Sequence, residues 1–540
     1  MIERIKAGPI VGVKIAPATL SSSQVTLIWD RPQEQGIQGY QVWQDEKMIE
    51  RRSPNQTHVT VSSLKPETSY FFKVVVLLEH QLTKIIGTVT VTTMAKEVVF
   101  DVTQAPYNAD KTGKTVCTEV IQQAINDCPP LGIVYLPKGA TVLSGALELK
   151  DDLTLQIDGT LNGSLDPLDY LVKAGDPAFK GQANAEGLVR SRYEGWEMYC
   201  YRSLINAGYL DPNDRSKMVC HNVRVCGSGV IHGGGTALGE AMKSGYTDLE
   251  KYPQYLSDNI PGRRVRGRLL SFVQCQNVHL TGVTIENPSS WTVHLVYCDT
   301  VTTNGVSINS RGIDNGDGWD PDSTRNAMIF DTSFDTGDDC IAIKSGKNPE
   351  GNEIGIPTEN VRIFDLKMLG GHGLAIGSEM SGGVADVQIH DCLIQGTNYG
   401  IELKAHNDRG GYIRNFTATH CLIDSFEAQS VDYNSDGTAA KELPVFADIS
   451  LVDCQITGKQ QAITLIGFSD QQNHRKGYLE RILLKNLTLS APTAAAPLRL
   501  HFERCAGLKI EHVHLASPAK FSIDLQDVHG LQITDLVEVE

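Results

Sequence analysis

A short phrase recurs along the C-terminal half of this 540-residue chain: a small or polar residue, an apolar one, any residue, then another apolar one. It reads Asn277-Val278-His279-Leu280, Asn360-Val361-Arg362-Ile363, Asp386-Val387-Gln388-Ile389, Asp448-Ile449-Ser450-Leu451 and Gly507-Leu508-Lys509-Ile510, with weaker copies starting at Thr300, Asn326, Asn415, Arg481 and Gly530. From 277 onward the copies are spaced by 23, 26, 34, 26, 29, 33, 33, 26 and 23 residues. A unit this short cannot bury an apolar face alone, so stacked neighbours must bury it together. Short strands at an irregular period predict an all-β chain, a right-handed parallel β-helix. A doubly wound α/β fold would need a crossover, usually a helix, of about a dozen residues between strands, and these spaces do not supply one.

The register has an internal check. Six residues after each anchor stand Val283, Val306, Thr332, Leu366, Cys392, Cys421, Cys454, Leu487, Val513 and Leu536. Nine of these ten are apolar or cysteine, which predicts a column pointing into the core. Three of the twelve cysteines fall on it, where cysteine acts as a small hydrophobe. With no CxxC pair and no cysteine–histidine cluster at ligand spacing, zinc is not expected. Cys117–Cys128 and Cys220–Cys226 remain possible pairs.

The front of the chain follows another rule. Alternating runs at Gln24–Trp29, Gly39–Asp45, His58–Val61, Tyr70–Leu78 and Ile86–Thr92 are separated by turns. Leu64-Lys65-Pro66-Glu67-Thr68-Ser69-Tyr70 resembles the tyrosine-corner stretch of fibronectin type III domains. The expected division is 1–96 for this β-sandwich, acting as a spacer, and 97–540 for the β-helix.

The same ruler places the chemistry. Twelve residues after Asn326 is Asp338, twelve after Asn360 is His372, and twelve after Asp386 is Asn398, beside Tyr399. Equivalent positions on neighbouring coils lie about 4.8 Å apart, so Asp338, His372 and the Tyr399–Lys404 segment should share one face. Asp317 reaches it from the preceding coil, within Asn315-Gly316-Asp317-Gly318-Trp319-Asp320-Pro321-Asp322. Carboxylates this concentrated cannot all ionise cheaply, so one keeps a proton and another loses it, the division that glycoside hydrolysis uses.

These clusters, with Asp338-Asp339-Cys340, Gly371-His372-Gly373 and Gly400-Ile401-Glu402-Leu403-Lys404, resemble the polygalacturonases of glycoside hydrolase family 28 over roughly Phe100 to Glu540. With a fibronectin-like domain in front, the chain is most similar to the bacterial exo-polygalacturonases of that family. The resemblance implies inverting hydrolysis of polygalacturonate without a cofactor or metal. Asp338 would be the general acid, Asp317 and Asp339 would activate the water, and His372 would tune the acid. Lys404 would grip a substrate carboxylate and Tyr433 would pack on substrate, with Asn315 and Lys344 as further contacts. Glu402 stands where the family's Arg-Ile-Lys has arginine, so either Arg409 covers that subsite or the sugar beyond the cut differs.

Two insertions, about 167–202 and 236–266, carry Arg190, Arg192, Trp196, Arg263, Arg264 and Arg266. They are expected to close one end of the cleft and to form a cationic rim. The formal charge of −16 argues against nucleic acid or an anionic membrane as partner, and no apolar run of about 18 residues is present. The opening Met1–Lys6 has no apolar signal core, so a periplasmic or secreted location follows from the substrate alone. Oligomeric state has no sequence signal. A pectate lyase is the enzymic rival, but Asp314–Asp322 fails as an EF-hand because the twelfth position is Arg325. A non-catalytic sugar-binding β-helix is the other.

Overall fold

All ten anchors of the repeat adopt a left-handed turn, with φ between 53° and 74°. Asn and Asp tolerate this conformation best among residues with a Cβ, and glycine adopts it without strain. That is why the anchors are mostly Asn, Asp or Gly. The turns also bond to one another: Asn277 donates to Asn222 at 2.6 Å, Asn326 to Asp299 at 2.7 Å, and Asn415 to Asp386 at 3.0 Å. Except for Gly530, these anchors lie inside strands, and the residues that follow them line up in one parallel ladder: Val278, Val301, Ala327, Val361, Val387, Phe416, Ile449, Ile482 and Leu508.

The computed structural model describes residues 10–173, 175–459, 461–470, 473–490, 498–516 and 521–539. Met1–Lys6, read above for a signal core, lies outside them. Most coils contribute three strands, each paired in parallel with its counterparts above and below, in a 34-stranded sheet. The anchor-plus-six column points inward: Leu536 is half-buried and the other nine are buried, Cys392, Cys421 and Cys454 included. All twelve cysteines are buried and free, so neither candidate pair is joined. Two ten-residue helices, Thr118–Asp127 and Gly235–Ser244, precede the first strong copy of the repeat. The first buries Ile121, Ala124 and Ile125 in the core.

The N-terminal sandwich pairs a three-stranded sheet with an antiparallel four-stranded one. Tyr70 Oη accepts a 2.9 Å bond from the Lys65 N–H, the tyrosine corner that the sequence predicts. Two strands escaped that reading. Val13–Ile15 is only three residues long, and Lys47–Arg52 is an edge strand without an apolar alternation.

This domain docks on the outer side of the anchor-bearing face. Ile10, Ala16 and Ile28 pack with Met328, Phe330 and Phe364, while Arg31 pairs with Asp391 at 3.1 Å and His58 with Asp365 at 2.7 Å. Ala327–Phe330 is therefore apolar without alternation because both of its faces are covered.

Candidate active site

The site stands on a second face of the β-helix, and its columns follow from strand pairing. Val293, Trp319, Ile341, Leu374, Ile401 and Phe426 are Cα partners across six coils. Two residues before each stand Trp291, Asp317, Asp339, His372, Tyr399 and Asp424. One residue after stand His294, Asp320, Ala342, Ala375, Glu402 and Glu427, and three after come Asp322, Lys344, Gly377, Lys404 and Gln429 on the last five coils. Alternate residues of a strand point outward, which displays the second and third columns. The first lies in the turn before each strand, and neighbours within a column follow the ladder spacing of about 4.8 Å.

The count of twelve slips by one residue. Asp339, not Asp338, shares the column of Asp317 and His372. Asp338 reaches His372 from the side, with Oδ1 3.0 Å from Nδ1, while Asp339 Oδ1 lies 3.6 Å from the same nitrogen. Gly371 makes the approach possible: at φ 90° a Cβ there would lie 1.9 Å from Thr336 Oγ1.

Two buried ammonium groups stand among these carboxylates. Lys344 Nζ lies 3.4 Å from Asp317, 3.9 Å from Asp320 and 3.3 Å from Glu379. Lys404 Nζ lies 3.4 Å from Asp339 and 3.1 Å from Glu402. Asp317, Asp320 and Asp339 are nearly inaccessible, whereas the Asp338 and His372 side chains keep 28% and 30% of their exposure. Asp338 and His372 are thus the pair a ligand can touch.

Charge allocation departs from the sequence expectation. Burial pushes Asp317 well above the usual carboxylate range, helped by Asp320 and Asp338. Burial also pushes Asp320 up to about 7, against the pull of Lys344. Burial raises Asp338 too, but its bond to His372 and the charges of His372, Lys404 and Lys344 outweigh it and hold the carboxyl at about 2. His372 is raised to about 10 by its bonds to Asp338 and Asp339. The proton of this pair therefore rests on the imidazole, not on the expected Asp338 carboxyl.

Other candidates also move. Arg409 does not cover a sugar subsite. It is fully buried, and its guanidinium donates to Ser378 O at 2.8 Å, Asn348 Oδ1 at 2.5 Å and Asn434 O at 3.0 Å, so it holds loops in place. Glu402 is buried beside Lys404 and accepts a 3.0 Å bond from Gln429. Asn315 lines the cavity, its amide oxygen accepting from Arg266 at 3.2 Å. Tyr433 stands half-exposed in the cavity wall.

The insertions reach the site, but not as a free cationic rim. Arg192 is bound to Asp322, Arg263 to Asp258 and Asp314, and Arg264 to Glu194 and Asp436. All three arginines are buried. Their positive charge is spent on fixing the loops. Those loops contribute Glu194, Asp258 and Arg263 to a cavity of about 360 Å³ that Trp291, Asp338 and Lys404 also line.

Sequence reasoning missed Glu379 and left Asp320 and Trp291 without a role. Glu379 follows the strand Leu374–Ile376 on a loop, and Lys344, Lys347 and Arg409 overcome its burial to keep it well below the usual range. A column signal existed for Lys344, since Lys344 and Lys404 both lie eighteen residues after an anchor. Asp338, Asp339 and His372 place ligand atoms within 4.8 Å of one another. The set is two carboxylates and an imidazole, with Lys404 on one carboxylate, whereas calcium takes 6–8 oxygens. Asp314 is taken by arginine.

A parallel β-helix whose exposed columns hold clustered carboxylates, a histidine and buried lysines has the make-up of a polysaccharide-cleaving enzyme. Residues 211–436 match the model of glycosyl hydrolases family 28, and residues 9–86 match the fibronectin type III domain. The chain is 26% identical to an exo-poly-alpha-D-galacturonosidase of Dickeya chrysanthemi, over 90% of this chain and 88% of that one. Among solved structures, a family 28 exopolygalacturonase of Yersinia enterocolitica aligns with a TM-score of 0.80 at 23% identity, covering 98% and 100% of the two chains. An exopolygalacturonase of Thermotoga maritima aligns with a TM-score of 0.59 at 25% identity, covering 81% and 92%. This protein carries a family 28 glycosyl hydrolase domain behind a fibronectin type III domain. It is a glycoside hydrolase.

Proposed function

We propose that the enzyme is an exo-acting, inverting polygalacturonase that releases short products, digalacturonate foremost. The observation that carries the exo mode is that the two insertions contribute Glu194, Asp258 and Arg263 to the cavity wall, which we take to block one end. A chain terminus entering there stops against these loops, while the rest of the polymer leaves over the coils that follow Lys404. The disaccharide product rests on the resemblance to bacterial exo-polygalacturonases read from the sequence.

Asp338 protonates the leaving oxygen, since it is the accessible carboxyl of the set. Its proton is stored on His372. Lys404 and Lys344 help to hold Asp338 ionised, and a uronate carboxylate that draws on these ammonium groups weakens that hold. The proton then passes across the 3.0 Å contact from imidazole to carboxyl as substrate binds. Asp339, or Asp317 once Lys344 favours its ionised form, takes the proton of the attacking water. Inverting enzymes hold acid and base carboxyls about 6.5–9.5 Å apart, which leaves room for that water. Asp338 and Asp339 bring oxygens within 4.8 Å of one another, which favours Asp317 as the base and leaves Asp339 to position the water.

Chromatography of early products from polygalacturonate tests this reading. Short products should dominate from the first minutes, and viscosity should fall slowly relative to reducing ends released. Mixed oligomers with a rapid viscosity drop would show an endo-acting groove. Trimming residues 167–202 to a short turn should shift products towards longer oligomers.

A further inference from the structure

Beside Tyr399 and Lys404, which line the cavity, stands a pair of stacked carboxylates. Glu402 and Glu427 are Cα partners on adjacent coils and stand in the same outward column. A single amide ties them together, since Gln429 Nε2 donates to Glu402 Oε1 at 3.0 Å and to Glu427 Oε2 at 2.7 Å. Both of its N–H groups are thereby used. The remaining Glu402 oxygen faces Lys404 at 3.1 Å, and the remaining Glu427 oxygen accepts from Ser425 Oγ at 3.3 Å. Glu427 stays partly exposed.

The nearest cation cannot neutralise a third anion here. Lys404 is already shared between Asp339 and Glu402. The next residue along the column is Thr464, then His501, which lies 3.6 Å from Glu503. A free carboxylate is recognised by cations and N–H donors. Glu402 is buried, so what the surface presents here is the partly exposed Glu427 carboxylate, an acceptor of the kind that sugar hydroxyls seek.

We propose that the leaving-group side of the cleft selects a sugar unit without a free carboxylate, with Glu427 as the selecting residue and the buried Glu402 behind it adding to the negative charge. The inference rests on the galacturonan-hydrolase reading above and refines it: the retained end is a uronate, and the first unit beyond the cut is uncharged. Two sources share that chemistry, a methyl-esterified galacturonate and a neutral sugar.

The selection should weaken in acid. Burial, and then the charge of Glu402, push Glu427 up to about 7. The groups facing it are Tyr399, Glu402 and Lys404 on the preceding coil, Ser425 and Gln429 on its own, and Thr464 on the next. Protonation near neutrality removes one of the two repelling charges.

The test compares kcat/KM for a digalacturonosyl group linked to galacturonate, to its methyl ester and to galactose. At pH 8 the ester or the galactoside should be cleaved at least about tenfold faster than the free acid, the faster of the two naming the source. The ratio should narrow at pH 6, and in Glu427→Gln it should narrow at pH 8 because the free acid speeds up. A free acid cleaved as fast as both others at pH 8 would overturn the inference while leaving the hydrolase reading intact. Loss of cleavage for all three would overturn the galacturonan reading itself, and this inference with it. The pH comparison needs only the unaltered protein, so a misfolded variant would not blunt the test.

Discussion

Among the described residues, two places bring one histidine against two aspartates. At the active site they are His372, Asp338 and Asp339; under the N-terminal domain they are His58, Asp331 and Asp365, and in both the ligand atoms lie within 4.8 Å. Their surroundings separate them. His58 is 1% exposed, faces Phe330 and Phe364 at 5.0 and 6.0 Å, and has its Nε2 on Asp365 and its Nδ1 near Arg52. Its edges and faces are used up. His372 keeps an accessible edge on a cavity, beside four further buried carboxylates, Asp317, Asp320, Glu379 and Glu402, and two ammonium groups that do not pair off one to one. The same trio is a fastening where the imidazole is enclosed on its edges and faces, and a reactive centre where the imidazole keeps an open edge.

Removing one carboxyl from each trio should split them most widely. Asp338→Asn keeps the shape but cannot protonate a leaving oxygen, and general acid–base help is worth about 10²–10⁴-fold. Turnover should fall by that order with binding retained. Asp365→Asn should leave turnover within about twofold. Comparable losses in the two variants, measured on polygalacturonate, would erase the distinction.

Truncating the aromatic support should act the other way. Phe330 is fully buried, stacks on Phe364 at 4.7 Å and belongs to the cluster between the domains. Phe330→Ala should cost about 3–5 kcal/mol, read as a lower unfolding midpoint, with turnover per folded molecule unchanged at 25 °C. An intact midpoint would mean that the domains do not depend on this contact.

The first trio was legible in the sequence and the second was not. The anchors Asn326, Asn360 and Asp386 gave a ruler for the site because each coil restarts at a left-handed turn, so side chains at one offset must meet. The ruler failed by one residue where Gly371 lets the chain run closer, and it could not see Glu379, which arrives on a loop. His58 and Asp365 are 307 residues apart in sequence and belong to different domains, so no local period relates them. Charges misled for a related reason. The insertion arginines looked free because their partners, Asp322, Asp314 and Asp436, are distant in sequence.

Proton storage on His372 gives a smaller and more particular contrast. The imidazole is raised to about 10, above its ordinary 6.5, and Asp338 is lowered to about 2, below its ordinary 3.8. The histidine's contribution to stability is therefore fully present below about pH 6.5 and fades as pH rises through about 10. That of Asp338 is present above about pH 3.8 and is lost as pH falls through about 2. In His372→Asn the acid must hold its own proton, so the alkaline limb of kcat/KM should move to lower pH. His58→Asn should leave the limb in place. An unmoved limb in His372→Asn would mean that the imidazole stores no proton for the reaction.

The smallest expected effect lies at the mouth of the cavity and tests why one trio is open. The ring faces of His58 are covered by phenylalanines, whereas the aromatic beside the active site, Tyr433, is 46% exposed. Arg409 fixes its neighbour Asn434 through the backbone carbonyl at 3.0 Å, so the tyrosine stands on a held segment. A sugar ring laid on that surface would bury part of it, and at about 25 cal/mol per Å² of apolar area a few tens of Å² amount to about 1 kcal/mol. Tyr433→Ala should therefore raise KM about fivefold and change kcat less, because packing on a ring is felt alike in the ground and transition states. Tyr433→Phe keeps the face and should stay within about twofold of the parent. If Phe is as damaging as Ala, the hydroxyl and not the ring makes the contact. If neither variant changes KM, Tyr433 is only a wall, and the accessibility of His372 must be credited to the cavity alone.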